Sequence, residues 1–475
     1  MAAFWVAKLL RALMSIRREI TPMLRLALPL VLAEVGWMSM GVVDTVMVGH
    51  LPHPAVTISA VAIGQVLYNT LAFGIGGVLL GLDTYISQAH EAGEWDDANR
   101  WLLSGVVLAA LLSAVLMGMV WVGPLAMARM PIDREVMRQA VGFLAALNWG
   151  TPPLFLYMTF RRYLQAFNHV RPIAAAVVSA NAVNAGLDWL LLFGHRWIVL
   201  GKSVGIPAYG VVGAAWSTAL ARLYLAAFVG VAVWWVDRQH GYGLRSAERE
   251  LDWSRVRRLV GLGAPVGGQI FVEISIFAAV TALIGTMGPV SLAGHEIALN
   301  CVSFTFMVPF AISAAATVRV GQAVGRGSAS EAAAAGWTAI GFGAGFMLCM
   351  SAVLVGMPGR IAGGFTRGPE VIAAAVPLLL VGAAFQFFDG VQVTATGALR
   401  GVGNTHAGLY VQLVGYWVVG LPLGWWLGFH RKMGAVGLWV GLCAGLMIAG
   451  VALISVWGRA VRRGISRVPT TDLHG

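Results

Sequence analysis

Twelve strongly apolar stretches follow one another along this chain with only short polar breaks. They fall at residues 22–48, 56–82, 101–125, 140–160, 172–194, 210–235, 259–286, 292–317, 335–357, 372–396, 406–428 and 434–457. A helix of that length crosses the roughly 30 Å of bilayer hydrocarbon at about 1.5 Å per residue. The pattern predicts an all-α polytopic membrane protein with twelve transmembrane helices. The polar stretch 237–258 is the longest break and divides the spans six and six, giving one lobe at 22–236 and a second at 259–457. In segment 1–21, Lys8, Arg11, Arg17 and Arg18 stand among apolar residues and no small-residue cleavage site follows. It reads as a short amphipathic helix on the cytoplasmic surface, and 458–475 reads as a basic cytoplasmic tail.

Composition supports the same class. Hydrophobic residues make up 58% of the chain and charged residues 11%, against about 45–50% and about 25% in a soluble protein. Sixty Gly and eighteen Trp suit close helix packing and interfacial anchoring. The net charge of +11 raises the question of nucleic acid, but its placement answers it. Twenty-two of the 32 Lys and Arg fall on one side of the spans and nine on the other, with Arg222 inside a span. That asymmetry places both termini in the cytoplasm and makes the basic balance a topology signal. Cys301, Cys349 and Cys443 lie apart on apolar helices without metal-ligand spacing, so they read as packing residues.

Short motifs recur across the central break. Gly210-Val211-Val212-Gly213-Ala214-Ala215-Trp216 opens the sixth span and Gly434-Ala435-Val436-Gly437-Leu438-Trp439 the twelfth. Ser87-Gln88-Ala89 closes the second span and Gly321-Gln322-Ala323 the eighth, while Pro29 and Pro265 lie early in the first and seventh. Six spans return the chain to its starting side, so the two lobes are parallel repeats, an architecture expected to hold a substrate cavity between them near the midplane.

Carboxylates inside hydrocarbon carry the chemistry. Asp44, Asp188, Glu273 and Asp389 each lie within a span, where a charge costs about 2.5–3.5 kcal/mol even on lenient insertion scales. Asn181, Asn184 and Asp188 share one face of the fifth span, at a depth similar to Asp44 in the first. Two amides and a carboxylate opposite another carboxylate form a polar pocket able to hold a proton or a small cation. Helix packing is the alternative for a lone amide. Glu273 sits among Phe271, Ile274, Ile276 and Phe277, a setting in which a carboxyl can load and release a proton, or stay protonated for packing alone. Glu34 and Arg222, both near mid-depth, read as an ion pair in the first lobe. A switch answering Asp44 protonation, or a substrate contact at Glu34, are the alternatives. His295, beside Glu296, reads as a hydrogen-bonded structural group rather than a relay.

Several motifs in order resemble the multidrug and toxic compound extrusion (MATE) family. Gly41-Val42-Val43-Asp44-Thr45-Val46-Met47-Val48-Gly49 is similar to its first-helix signature. Ala293-Gly294-His295-Glu296-Ile297-Ala298-Leu299-Asn300 and Val318-Arg319-Val320-Gly321 resemble the ends of its eighth helix. Phe388-Asp389-Gly390-Val391-Gln392 and Gly397-Ala398-Leu399-Arg400-Gly401 resemble its tenth helix and the following loop. Glu273 with Asp389 points to the NorM-type branch. The resemblance implies coupling residues at Asp44, Asn184 and Asp188, and binding residues at Glu273 and Asp389, where a proton or sodium ion would sit. Position 385, often Tyr in relatives, is Phe385 here, which removes a phenol oxygen as an ion ligand.

The function expected is export of small amphipathic organic cations in exchange for protons or sodium by alternating access. The expected setting is the plasma membrane, or the inner membrane if bacterial. No cofactor, enzymatic activity or nucleic-acid partner is expected, and the protein is read as a monomer in the lipid bilayer. No Walker loop or nucleophile motif is present. Asn181, Glu34, Phe271, Phe304, Phe385 and Phe388 are the candidate cavity residues, since acidic and aromatic groups accept flat cations. A lipid-linked saccharide flippase of the same broad fold is the alternative, but it would call for a cationic lining. A channel or receptor is the other rival.

Overall fold

The computed structural model describes residues 2–127, 133–199, 202–246 and 252–465, with the backbone alone for 2–16, 54–55, 125–127, 196–199 and 202–204. Helices dominate. The first part of the chain forms α1 (Ala2–Val48), α2 (Pro54–Gly76), α3 (Gly81–Glu91), α4 (Trp95–Met127), α5 (Arg134–Asn148), α6 (Thr151–Ala166), α7 (Arg171–Phe193) and α8 (Val211–His240). The second forms α9 (Trp253–Gly285), α10 (Pro289–Gly325), α11 (Ala329–Gly356), α12 (Pro358–Phe365), α13 (Pro369–Gly401), α14 (His406–Gln412), α15 (Leu421–Trp425) and α16 (Gly434–Arg463). Local chemistry sets several boundaries. Asp133 caps α5 by accepting from the Glu135 and Val136 amides, Ser328 caps α11 through the Glu331 amide, and α8 ends where Gly241 turns left-handed.

Eleven helical stretches among the described residues are long and apolar enough to cross a bilayer. The fourth expected span, 140–160, is instead built from α5 and α6, neither of which reaches that length. Trp149 and Gly150 keep right-handed backbone between them, so the path continues through the break. Pro152 and Pro153 explain it, because neither supplies an amide donor to the preceding turn. The chain does not break at 21 as expected: α1 runs unbroken from Ala2 through Pro22 and Pro29. One hairpin departs from helix, His195–Val199 pairing antiparallel with Lys202–Ile206 in the α7–α8 connection.

Two compact units result. One comprises the first helix through Val31, Asp83–Glu94, and the chain from Gly261 onward; the other comprises Leu32–Leu82 with Trp95–Val260. The start of α1 and the end of the second span therefore join the later half of the chain, rather than the half to which sequence order assigned them. Polar bonds hold them there. Arg319 grips Glu19 through both carboxylate oxygens (2.9 and 3.0 Å), Thr84 donates to the Arg400 carbonyl (2.7 Å), and Gln88 to that of Gly401 (2.9 Å). Within this unit α13 packs on α10, α11 and α16. Ser313 and Thr317 of α10 donate to the Val393 and Gly397 carbonyls of α13 (2.7 and 3.0 Å), which small residues at the seam permit. In the other unit α8 packs on α5, α6 and α7.

The segment between α14 and α16 is irregular. Leu413–Gly420 and Trp426–His430 are π-helical, flanking the short α15. Gly415, Gly420, Gly424 and Gly428 of this segment meet Gly437, Gly441 and Gly445 of α16 with backbone against backbone. The first of those intervals is five residues, and an i→i+5 turn keeps both glycines on the shared seam. A Cβ at Gly441 would overlap the Gly424 backbone. Gly441→Ala should therefore destabilise the protein by about 1–3 kcal/mol, the usual cost of overpacking. Gly359→Ala, where a Cβ meets nothing within 4 Å, should leave the thermal midpoint of the purified protein unchanged.

Candidate functional site

Three helices bring one polar cluster together in the unit containing Leu32–Leu82. Asp44 comes from α1, Asn184 and Asp188 lie one turn apart on α7, and Thr218 faces them from α8, all buried. The Asn184 Nδ2 donates to Asp44 Oδ1 (2.5 Å) and Asp188 Oδ2 (3.0 Å), while Thr218 Oγ1 is 3.1 Å from Asp44 Oδ2. The two carboxyls are within hydrogen-bonding reach of each other, and Ser217 reaches Asp188. Asn184 Oδ1 and Asp188 Oδ1 are buried acceptors without a donor. Such an arrangement can share one proton between two carboxyls or take a small cation. Asn181, predicted on the same face, does something else: its amide donates to the Gly36 and Val177 carbonyls (both 2.9 Å) and ties α7 to α1.

The expected Glu34–Arg222 pair does not form. Glu34 pairs with Arg161 of α6, both side chains buried. Arg161 and Arg162 lie just past the expected end of the fourth span at 160, yet α6 continues to Ala166 and buries both. Arg162 binds Gln165 (3.0 Å). Glu34 is thus neutralised inside its own unit, which removes it as a free acidic wall for a cation. Arg222 lies over the Tyr68 ring instead, 4.8 Å from the centroid, and Tyr68 bonds Thr151 (2.8 Å).

The second cluster lies in the other unit. Glu273 of α9 reaches the Gln412 side chain, and its charge is felt by Asp389 of α13. Tyr416, in the first π-helical stretch, feels both carboxyls and donates to Gln392 Oε1 (3.2 Å). Trp417 donates to the Val272 carbonyl (3.3 Å), which sets the π-helical stretch against α9 beside Glu273. Gln269, one turn before Glu273, is buried where a Cβ on Gly408 would collide with it. Sequence reading missed Tyr416, Gln392, Gln412 and Thr218. Signals existed: Gln392 is one turn from Asp389 within a quoted motif, and Gln412 and Tyr416 sit four apart in an apolar helix. Phe385, the position where a phenol was expected, packs on Trp439 at 5.5 Å. The phenol of this cluster comes from a different helix.

The aromatic candidates separate. Phe385 is buried, Phe388 is half-buried with its ring edge-on to Phe387, and Phe271 and Phe304 are exposed. His295 is fully buried and bridges Trp439 and Thr281. The indole N–H can only donate, so Nδ1 accepts and the ring proton sits on Nε2, 2.8 Å from Thr281 Oγ1. Glu296 is exposed.

Comparison with known proteins accords with this layout. The MatE family model matches residues 29–190 and again 265–426. The chain is 34% identical to the probable multidrug resistance protein NorM of Mesorhizobium japonicum over 94% of its length and 95% of the relative's. It is 34% identical to the multidrug resistance protein MdtK of Cronobacter sakazakii over 92% and 94%. In fold it resembles the crystal structure of a eukaryotic MATE transporter (TM-score 0.83, 21% identity, 94% of this chain and 98% of that one). It also resembles an outward-facing multidrug resistance MATE transporter (TM-score 0.82, 17% identity, 94% and 96%).

The His295 bridge makes a test. His295→Ala strips the buried Trp439 indole of its partner, at about 1–3 kcal/mol for a group left unsatisfied, and takes the half-buried Thr281 hydroxyl's partner as well. Thermal unfolding of the purified variant should show that loss, while the pH dependence of its transport should match the wild type.

Proposed function

This chain belongs to the MatE family, and from that premise we propose that it is a secondary antiporter exporting small amphipathic organic cations in exchange for protons. It is an integral membrane protein and not an enzyme. The observation that carries the coupling reading is the single Asn184 amide bridging Asp44 and Asp188 in a buried site. Two carboxyls that close disfavour double ionisation, so the pair is built to exchange one proton. Cation recognition is assigned to Glu273 and Asp389, whose negative potential offsets the desolvation of an organic cation. The names of the NorM and MdtK relatives, both multidrug resistance proteins, support that substrate class. The basic-residue asymmetry supports cytoplasmic termini, and a monomer is the working unit. The acidic character of the second cluster favours this reading over a flippase for anionic saccharide lipids.

Protonation connects the two events. A proton entering from outside neutralises the Asp44–Asp188 pair, and protons reaching Glu273 or Asp389 compete with the bound cation. Alternating access then requires only that cation and proton load from opposite sides of the membrane.

Dye efflux from proteoliposomes tests the coupling ion. A proton gradient alone should drive efflux, and its collapse by a protonophore should abolish it. Full efflux driven by sodium at fixed pH with protonophore present would overturn proton coupling. Asp44→Asn should stop transport in protein that inserts and unfolds normally; wild-type efflux from that variant would reduce Asp44 to packing. For substrate binding, Glu273→Gln and Asp389→Asn should each weaken a fluorescent cation by about tenfold or more, as loss of about 1.5–3 kcal/mol from a charged contact implies. Both should also flatten the pH dependence of that binding, with Glu296→Gln as the unaffected control. Wild-type affinity in both variants would move the cation site elsewhere.

A further inference from the structure

Arg222 is the charge that the cation–proton reading leaves unexplained. Its side chain is only 5% exposed, and Nε and Nη1 have no hydrogen-bond partner. Glu34, the carboxylate nearest to it in sequence logic, is taken by Arg161. A buried guanidinium without a carboxylate is costly, and one polarised ring does not replace a counter-ion. The reason for keeping it must lie close by.

Helix geometry supplies that reason. Thr218 and Arg222 are four residues apart on α8, so they share a face one turn apart. That face meets Asp44, because Thr218 Oγ1 bonds its Oδ2 (3.1 Å). The Arg222 charge acts on Asp44 directly. The groups around Asp44 are Asn184 and Asp188 on α7 and Ser217, Thr218 and Arg222 on α8, with Tyr68 of α2 beneath the guanidinium. Among these, Arg222 is the cation.

We propose that Arg222 is a positioning residue for proton coupling: it receives the ionised Asp44 carboxylate when the Asp44–Asp188 pair gives its proton to water. The charge count fits this role. With one proton on the two carboxyls, Asp44, Asp188 and Arg222 together are neutral. A second proton leaves the group positive, and loss of the first leaves it negative, each penalised inside a membrane. Arg222 thereby sets the cluster to exchange a single proton around the neutral state. Its stack on Tyr68 leaves the guanidinium with two N–H groups free to donate to the ionised oxygen.

This inference rests on Asp44 carrying the coupled proton. The test is dye-cation efflux from proteoliposomes containing the full chain, measured across a pH series, with thermal stability followed in parallel. Arg222→Gln should displace the pH of half-maximal efflux upward by about one unit, the direction expected when a carboxylate loses a nearby counter-charge. Arg222→Lys keeps the charge but not the guanidinium plane, and it should keep the wild-type midpoint. It also serves if the Gln variant does not fold: a displaced midpoint in the Lys variant would overturn the proposal. An unchanged midpoint in Arg222→Gln would likewise overturn it and leave Arg222 as packing on Tyr68. Asp44→Asn separates the two levels. Loss of efflux there with an unmoved Arg222→Gln midpoint rejects this inference alone, whereas normal efflux in Asp44→Asn rejects the coupling reading beneath it.

Discussion

Placing a charge in hydrocarbon costs about 2.5–3.5 kcal/mol on insertion scales and more on an isolated helix. The internal organisation of both units follows from how that cost is offset. Glu34 and Arg161 neutralise each other and become structure. Asp44 and Asp188 share an amide and two hydroxyls, which satisfies most of their oxygens without fixing both as ions. Glu273 and Asp389 have glutamines and a tyrosine for company and, among the described residues, no ion-pair partner. The same residue type therefore meets three different sets of partners: a guanidinium, a second carboxyl with an amide and hydroxyls, or neutral amides and a phenol.

Backbone irregularity is concentrated where these partners are delivered. The π-helical stretch begins directly after Gln412 and carries Tyr416 within the field of Glu273 while keeping its glycines against α16. π-helical turns are rare and concentrate at functional sites, because the extra residue per turn re-aims side chains that a regular helix would point elsewhere. The break between α5 and α6 works similarly at a structural pair. Two prolines interrupt the helix, and the continuation beyond them carries Arg161 to Glu34.

The two units divide the chemistry. The Asp44–Asp188 cluster is tight, hydrogen-bonded and buried, which suits a proton. The Glu273–Asp389 cluster sets its carboxyls among long neutral amides and a phenol. The carboxyls of both clusters lie within helices, apart from the basic residues that dominate the loops.

Periodicity and length were enough to establish the membrane class and most of the span positions, because about 30 Å of hydrocarbon admits few other patterns. Rare polar residues in apolar runs marked Asp44, Asp188, Glu273 and Asp389 for the same reason. Partner choice was a different matter. Glu34 was matched to Arg222 because both lie at mid-depth, yet Arg161 holds it, since depth along a helix says nothing about which neighbours its face meets. Tyr416 and Gln392 carry only a weak signal in the sequence, because a single hydroxyl or amide in an apolar helix costs little until a carboxylate stands beside it. Where the polar groups lie follows from the solvent; which of them touch follows from helix rotation, breaks and close glycine seams, and only the folded chain decides those.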